Sequence, residues 1–196
     1  MFRSMRLMTL ALAAGLLPLA AQEPAGFSAA ASVANGTSSL QVLTGGRLGF
    51  SLEGAWDVPS EYAPVRLSLS YTSFAAKTHP VDSLDVDGNV VTADGSGPGL
   101  TTLQLAALFR SQLSPKVTAY FGLTANKHRL SADMAGQGAS MSVPGTKLGL
   151  RADVDYQLSK AIALTAGFQW VEVGLAASLT SSHQPSWFQL GARYRF

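Results

Sequence analysis

The sequence predicts an all-β protein: an eight-stranded antiparallel up-and-down transmembrane β-barrel preceded by a helical signal peptide. Two observations carry this. The last ten residues, Trp187 to Phe196, alternate with period two, with Phe188, Leu190, Ala192, Tyr194 and Phe196 on one face and Gln189, Gly191, Arg193 and Arg195 on the other. The same alternation recurs along nearly the whole chain behind a secretory leader, so the apolar faces are expected to meet lipid rather than a protein core.

The leader comes first. Arg3 and Arg6 form a positive start, and Leu7 to Ala21 is an uncharged apolar run of about 15 residues, short of the roughly 20 that a spanning helix needs. It reads as a cleaved signal peptide over residues 1–21, with the barrel domain over 22–196. Two of the 14 basic residues belong to the leader, which leaves 12 basic against 12 acidic residues in the exported part. Without a positive balance or a basic run interleaved with aromatics, nucleic-acid binding has no electrostatic support. The chain has no Cys, which excludes disulfides and thiolate metal sites and suits passage through an oxidising compartment.

The alternating segments predict strands at 27–34, 46–56, 65–74, 100–110, 117–127, 146–156, 161–172 and 186–196, each near the 9–11 residues that a spanning strand requires. Their apolar sets are consistent, for example Leu48, Phe50, Leu52 and Trp56; Val65, Leu67, Leu69 and Tyr71; or Leu148, Leu150, Ala152, Val154 and Tyr156. Opposite them stand Arg66, Ser68, Ser70 and Thr72, or Lys147, Gly149, Arg151, Asp153 and Asp155, which belong in a lumen.

The connectors alternate in length. The joins at Asp57–Pro64, Ser111–Lys116 and Gln157–Lys160 are short; those at 35–45, 75–99, 128–145 and 173–185 are long and rich in Gly, Ser, Asp, Asn and Pro. Short joins at one rim and loops at the other place both termini on the periplasmic side. Two short joins share a phrase, Gln112-Leu113-Ser114-Pro115-Lys116 and Gln157-Leu158-Ser159-Lys160, a repeated hairpin rather than a repeated domain. Trp56, Phe109, Tyr156, Tyr194 and Phe196 then fall at the periplasmic ends and Tyr71, Phe168, Trp170 and Phe188 toward the outer ends, as two interfacial girdles would.

The leader, the eight segments and the terminal Ala192-Arg193-Tyr194-Arg195-Phe196 together resemble the small OmpA/OmpX-type outer-membrane β-barrel proteins. The resemblance covers residues 22–196, with no peptidoglycan-binding domain following the barrel. It implies an integral outer-membrane protein of a Gram-negative bacterium, monomeric, surrounded by membrane lipid and lipopolysaccharide. It also implies delivery by periplasmic chaperones and insertion by the barrel assembly machinery, which reads the C-terminal strand; that role carries over to Tyr194 and Phe196. Many functions share the scaffold. The function it implies is structural or interactive and non-enzymatic, carried by surface loops, with a narrow solute channel and a lipid A-modifying hydrolase as alternatives.

Eight strands leave an interior that side chains can fill. The inward set includes Arg47, Glu53, Arg66, Arg110, Lys147, Arg151, Asp153, Asp155, Arg193 and Arg195, and Glu53, Arg151 and Asp153 are expected to form its central charge network. In the longest loop, Asp85-Val86-Asp87-Gly88-Asn89 with Asp94 resembles part of an EF-hand loop, but Ser83 stands where the first Asp belongs, so a hairpin turn at Asp87-Gly88 is the better reading. His79, His128 and His183 fall near the outer rim, and Ser181, Ser182 and Ser186 lie close to His183 in sequence without the His-x-Ser arrangement of the lipid A deacylases. Asn35-Gly36-Thr37 is expected to close the first outer hairpin. The glycines of Gly95-Ser96-Gly97-Pro98-Gly99 precede no helix and form no phosphate loop. No catalytic, cofactor or metal site is predicted.

Overall fold

The computed structural model describes residues 26–37, 40, 48–60, 64–75, 78–84, 90–96, 99–134, 137–142, 145–171 and 186–196. The leader expected over 1–21 lies outside these residues. The strands are β1 (Gly26–Gly36), β2 (Leu48–Val58), β3 (Val65–Phe74), β4 (Thr78–Leu84), β5 (Val90–Ser96), β6 (Gly99–Ser114), β7 (Val117–Met134), β8 (Gln137–Ser142), β9 (Lys147–Gln157), β10 (Ile162–Val171) and β11 (Ser186–Arg195).

Eight of them close a ring. The order is β1-β2-β3-β6-β7-β9-β10-β11, every pairing is antiparallel, and β11 returns to β1 through Ser28↔Arg195 to Gly36↔Trp187. Closure leaves no edge among these strands, so their backbone N–H and C=O groups are satisfied within the wall, the condition for placing strands in a solvent that cannot hydrogen-bond. Alternation does the rest. Leu48, Phe50, Leu52 and Trp56 of β2 are exposed on the outside while Ser51, Glu53 and Ala55 are buried within, and each other strand of the ring repeats the pattern.

One rim, the turn rim, carries the short joins, Val58 to Val65, Ser114 to Val117 and Gln157 to Ile162, and also both ends of the described ring. Its two sequence-related turns are built alike. The Gln112 side-chain amide donates to the Ser114 carbonyl at 3.2 Å and Gln157 to the Ser159 carbonyl at 2.8 Å. The hydroxyls of Ser114 and Ser159 accept from the backbone N–H three residues on, Val117 and Ile162, both at 3.1 Å. The shared phrase is thus a shared hydrogen-bond scheme in which Ser caps the turn.

At the opposite loop rim the structure departs from the expectations in two places and agrees with them in a third. Asn35 and Gly36 do not close the first hairpin: both lie in β1, paired with Phe188 and Trp187, because β11 continues to offer hydrogen-bond partners beyond them. The segment 75–99 holds an antiparallel hairpin, β4 with β5, from Thr78↔Ser96 to Leu84↔Val90, in keeping with the hairpin expected there; residues 85–89, where the turn was expected, lie outside the described residues. Finally, β7 runs on past 127 to Met134 and pairs with β8 from Arg129↔Ser142 to Met134↔Gln137. The sequence 131–142 is rich in Ala, Gly and Ser and shows no amphipathic period, so only their mutual pairing makes residues 131–134 and 137–142 extended.

Candidate functional site

Three layers of side chains give this barrel its chemistry: the outer wall, a charged lumen and an apolar plug. The wall is apolar between two aromatic levels. At the turn rim Phe27 stacks on Trp56, centroids 6.0 Å apart, and Tyr194 meets Phe196 edge-on at 5.1 Å. Toward the loop rim stand Phe50 beside Tyr71 at 6.0 Å and Phe168 beside Phe188 at 4.9 Å. Cross-strand pairing brings each of Phe27–Trp56 and Phe168–Phe188 directly opposite. Such pairs stabilise the sheet while holding amphipathic or bulky rings at the two boundaries.

Inside, the structure brings Glu53, Arg151 and Asp153 together and adds a fourth member. The Arg151 guanidinium closes on Glu53 Oε2 and stands 2.7 Å from Asp153 Oδ2. Arg193 Nη2 takes the other Glu53 oxygen at 2.8 Å. All four residues are buried. Gly167, opposite Asp153 on β10, makes room for this carboxylate, since a Cβ there would run into Asp153 Oδ1. Arg193 also reaches Asp155 at 3.1 Å, and so joins the quartet to a second cluster near the turn rim. There Arg66 grips Asp57 with two parallel bonds of 2.7 and 2.8 Å, bonds Asp155 at 3.1 Å and donates to the Tyr120 hydroxyl at 2.7 Å, its guanidinium carbon 3.7 Å from the Tyr120 ring centroid. Arg195 lies 3.7 Å from Asp155.

Four carboxylates, Glu53, Asp57, Asp153 and Asp155, therefore face four guanidiniums, Arg66, Arg151, Arg193 and Arg195. Taking charges out of water costs several kcal/mol each, and only dense mutual pairing of this sort offsets it. Arg66, Arg193, Asp155 and Tyr120 complete a network of which sequence reasoning assigns only three residues. Parity turns the three charged ones inward; strand stagger, which sequence does not state, decides which of them meet. Arg110 and Lys147 are half-buried, and Arg47 lies outside the described residues.

Toward the loop rim the charges give way to neutral groups. Gln104 donates to Asn126 at 2.7 Å, Asn126 to Thr124 at 2.9 Å, and Thr72 to Ser51 at 2.9 Å. His128 lies in this layer, its Nδ1 2.9 Å from the Thr102 hydroxyl, while Nε2 is buried without a hydrogen-bond partner. Above it Ala34, Leu40, Phe74, Leu100, Leu130, Val171 and Trp187 form a buried apolar cluster, with Phe74 and Trp187 edge-to-face at 5.5 Å. These are inward positions: each of β3, β6, β7, β10 and β11 exchanges a polar lumen residue for an apolar one at its loop-rim end. Continuing the inward parity by one position, from Thr72 to Phe74 or Gln189 to Trp187, would have found the plug.

Of the other candidates, His79 lies in β4, and His183, Ser181 and Ser182 lie outside the described residues, as do Asp85 and Asp87. No group of three or more His, Cys, Asp or Glu side chains suited to a metal occurs among the described residues. Among those residues, too, no helix is long and apolar enough to cross a membrane, a criterion that does not bear on strands.

No family model matches the sequence, and neither does any curated protein. Solved structures do. A major outer membrane protein from Thermus thermophilus superposes with a TM-score of 0.58 at 18% identity, covering 89% of this chain and 100% of that one. Neisserial surface protein A gives 0.56 at 19%, with 89% and 100% covered. The N-terminal β-barrel domain of Pseudomonas aeruginosa OprF gives 0.55 at 14%, with 87% and 97% covered. The chain is thus an eight-stranded antiparallel barrel similar in fold to the small barrels of outer membranes, and at these identities the likeness is one of fold.

Proposed function

We propose that the protein is a non-enzymatic integral outer-membrane protein that anchors its loop-rim segments at the cell surface, where they carry recognition. One observation carries this reading: the ring turns a continuous apolar wall outward, bounded by aromatic pairs at both ends, and keeps its paired charges inside. Soluble monomers rarely expose a contiguous apolar patch beyond a few hundred Å². Here large apolar side chains are exposed all the way round the ring, from Phe27 and Leu52 through Leu105, Leu123 and Leu150 to Leu164 and Leu190. Lipid is the solvent that suits such a wall, with the turn rim in the periplasm and the loops outside.

In this reading residues 1–21 direct export and are removed, periplasmic chaperones deliver the chain, and the assembly machinery takes hold of the strand ending in Tyr194 and Phe196. Both side chains are exposed at the end of the wall. The barrel is a monomer in membrane lipid and lipopolysaccharide, and needs no cofactor. A narrow channel draws little support from a lumen filled at two levels, by the charge network and by the apolar plug. Of the outer-rim imidazoles on which a hydrolase would centre, His128 gives it little support, since it faces the lumen and bonds Thr102, and His183 lies outside the described residues.

Fractionation tests the reading. The exported chain is expected with the outer membrane, requiring detergent for extraction and migrating differently on gels before and after heating. Recovery as a soluble periplasmic protein would overturn it, and steady conductance of the refolded protein in planar bilayers would restore the channel.

A further inference from the structure

Among the described residues, every buried ionisable side chain but one belongs to the lumen charge network; the exception is His128. It stands opposite Thr102 on β6, and the pair Leu100↔Leu130 comes next along the same two strands. Both leucines belong to the apolar plug, so Thr102 and His128 form its floor on this side. The rest of that layer is neutral, with Ser51 on β2, Thr72 on β3, Gln104 on β6, Asn126 on β7, Gln169 on β10 and Gln189 on β11. β9 contributes Lys147, opposite Asn126, whose charge acts on His128 and has the sign of an imidazolium. Glu53 and Asp153, the carboxylates of the level below, are taken by Arg151 and Arg193.

A proton on this ring has no place to be paired. In an imidazolium both ring nitrogens donate. Thr102 can accept from Nδ1, 2.9 Å away, but Nε2 is buried with no hydrogen-bond partner, so the charge would be an unpaired buried cation. The wall ladder is interrupted at the same place. Between Asn126↔Lys147 and Arg129↔Ser142, Lys127 and His128 pair with neither β8 nor β9, and the returning chain spends residues 143–146 on this interval. Gly145 stands there at a φ of 77°, a conformation open to glycine. A recess of about 580 Å³ lies against the gap, with His128 and Gly145 in its lining, and gives water a route to this stretch of β7.

We propose that His128 is an acid-sensitive latch of the loop rim: uncharged, it holds Thr102 and floors the plug, and once protonated it takes up water through the gap and lets the plug open. What opens is a blind chamber, because the charge network below still fills the lumen. Leu40, which the segment between β1 and β2 commits to the plug, is released with it, so acid changes the surface that this loop presents. That last consequence rests on the outer-membrane reading, which puts the loop rim outside the cell, whereas the latch itself rests on the lumen alone.

Thiol trapping tests the latch. The chain has no cysteine, so Ala34→Cys places a single probe in the plug and Lys160→Cys, in a separate sample, a single exposed reference at the turn rim. In lipid nanodiscs, the rate at which a methanethiosulfonate modifies the first, divided by the rate for the second at the same pH, follows the open fraction. The open form takes up a proton as an ordinary imidazole does, near pH 6.5, and the closed form stays uncharged, so the ratio should rise by up to about 30-fold from about pH 7.5 to pH 5. His128→Gln, which keeps a hydrogen-bonding group for Thr102 but cannot charge, should hold the ratio level, and His79→Gln/His183→Gln should leave the rise intact. A flat ratio in the parent, an equal rise in His128→Gln, or loss of the rise in the His79/His183 variant would each overturn the latch. His128→Asn takes the place of His128→Gln if the latter lacks heat-modifiable migration. A parent that inserts into membranes but shows no pH response refutes the latch alone, whereas one that does not insert refutes the outer-membrane reading itself.

Discussion

Arg151→Met should be rescued by a neighbouring substitution that itself removes a buried charge. Arg151 contacts Glu53, Asp153 through both carboxylate oxygens, and Gln104 at 3.2 Å. Without it, Glu53 keeps Arg193 at 2.8 Å, but Asp153 keeps only the Gln189 amide at 3.4 Å. A buried charge left in that state costs about 3–5 kcal/mol. Adding Asp153→Asn removes the orphaned charge and leaves Glu53 and Arg193 as a neutral pair, so the double variant should lie only about 1–2 kcal/mol below the parent, the worth of the lost hydrogen bonds. Adding Glu53→Gln instead should recover less, because it leaves Asp153 unpaired and also strips Arg193 of a partner. Equilibrium urea unfolding of protein folded into lipid vesicles, followed by tryptophan fluorescence, measures all three. If Arg151→Met/Asp153→Asn is as unstable as the two single losses added together, the charges are not coupled as described and the network account fails.

Other expectations follow from the wall and the turns. Leu150 is 40% exposed and Arg151 2%, so Leu150→Arg, which puts a charge into the apolar wall, should cost about 2–4 kcal/mol in vesicle unfolding; an unchanged midpoint would invert the register. Phe196→Ala should lower membrane-inserted yield in cells more than Ala192→Gly, since it removes an interfacial ring and the terminal residue of the assembly strand; equal yields would argue against that role. Ser159→Ala should cost about 1 kcal/mol by freeing the Ile162 N–H it caps, with Ser114→Ala costing a similar amount at the sister turn, both read by the same unfolding assay. Trp187→Ala/Phe74→Ala should empty the plug and destabilise the barrel by several kcal/mol, with Leu190→Ala on the outer wall as a milder control; a plug variant as stable as that control would show that the cluster does not pack.

Much of this molecule is legible without its structure. Phe50, Leu52 and Trp56 against Ser51, Glu53 and Ala55 declare two faces regardless of which strand lies alongside, because successive side chains of any strand point to opposite sides. The eight ring strands, the two aromatic levels and the inward parity of Glu53, Arg66, Arg151, Asp153, Asp155 and Arg193 all follow from that local rule. The segments that escape it, β8 and the far end of β7, have too few large apolar or β-branched residues to show a period.

What only tertiary structure decided is who meets whom across the lumen and along the wall. Arg193 bridges Glu53 to Asp155, and Arg66 reaches from β3 to Asp155 on β9, because the stagger between strands sets the heights at which inward residues face one another. That stagger is a property of the closed ring, fixed when β11 pairs with β1, and no strand carries it alone.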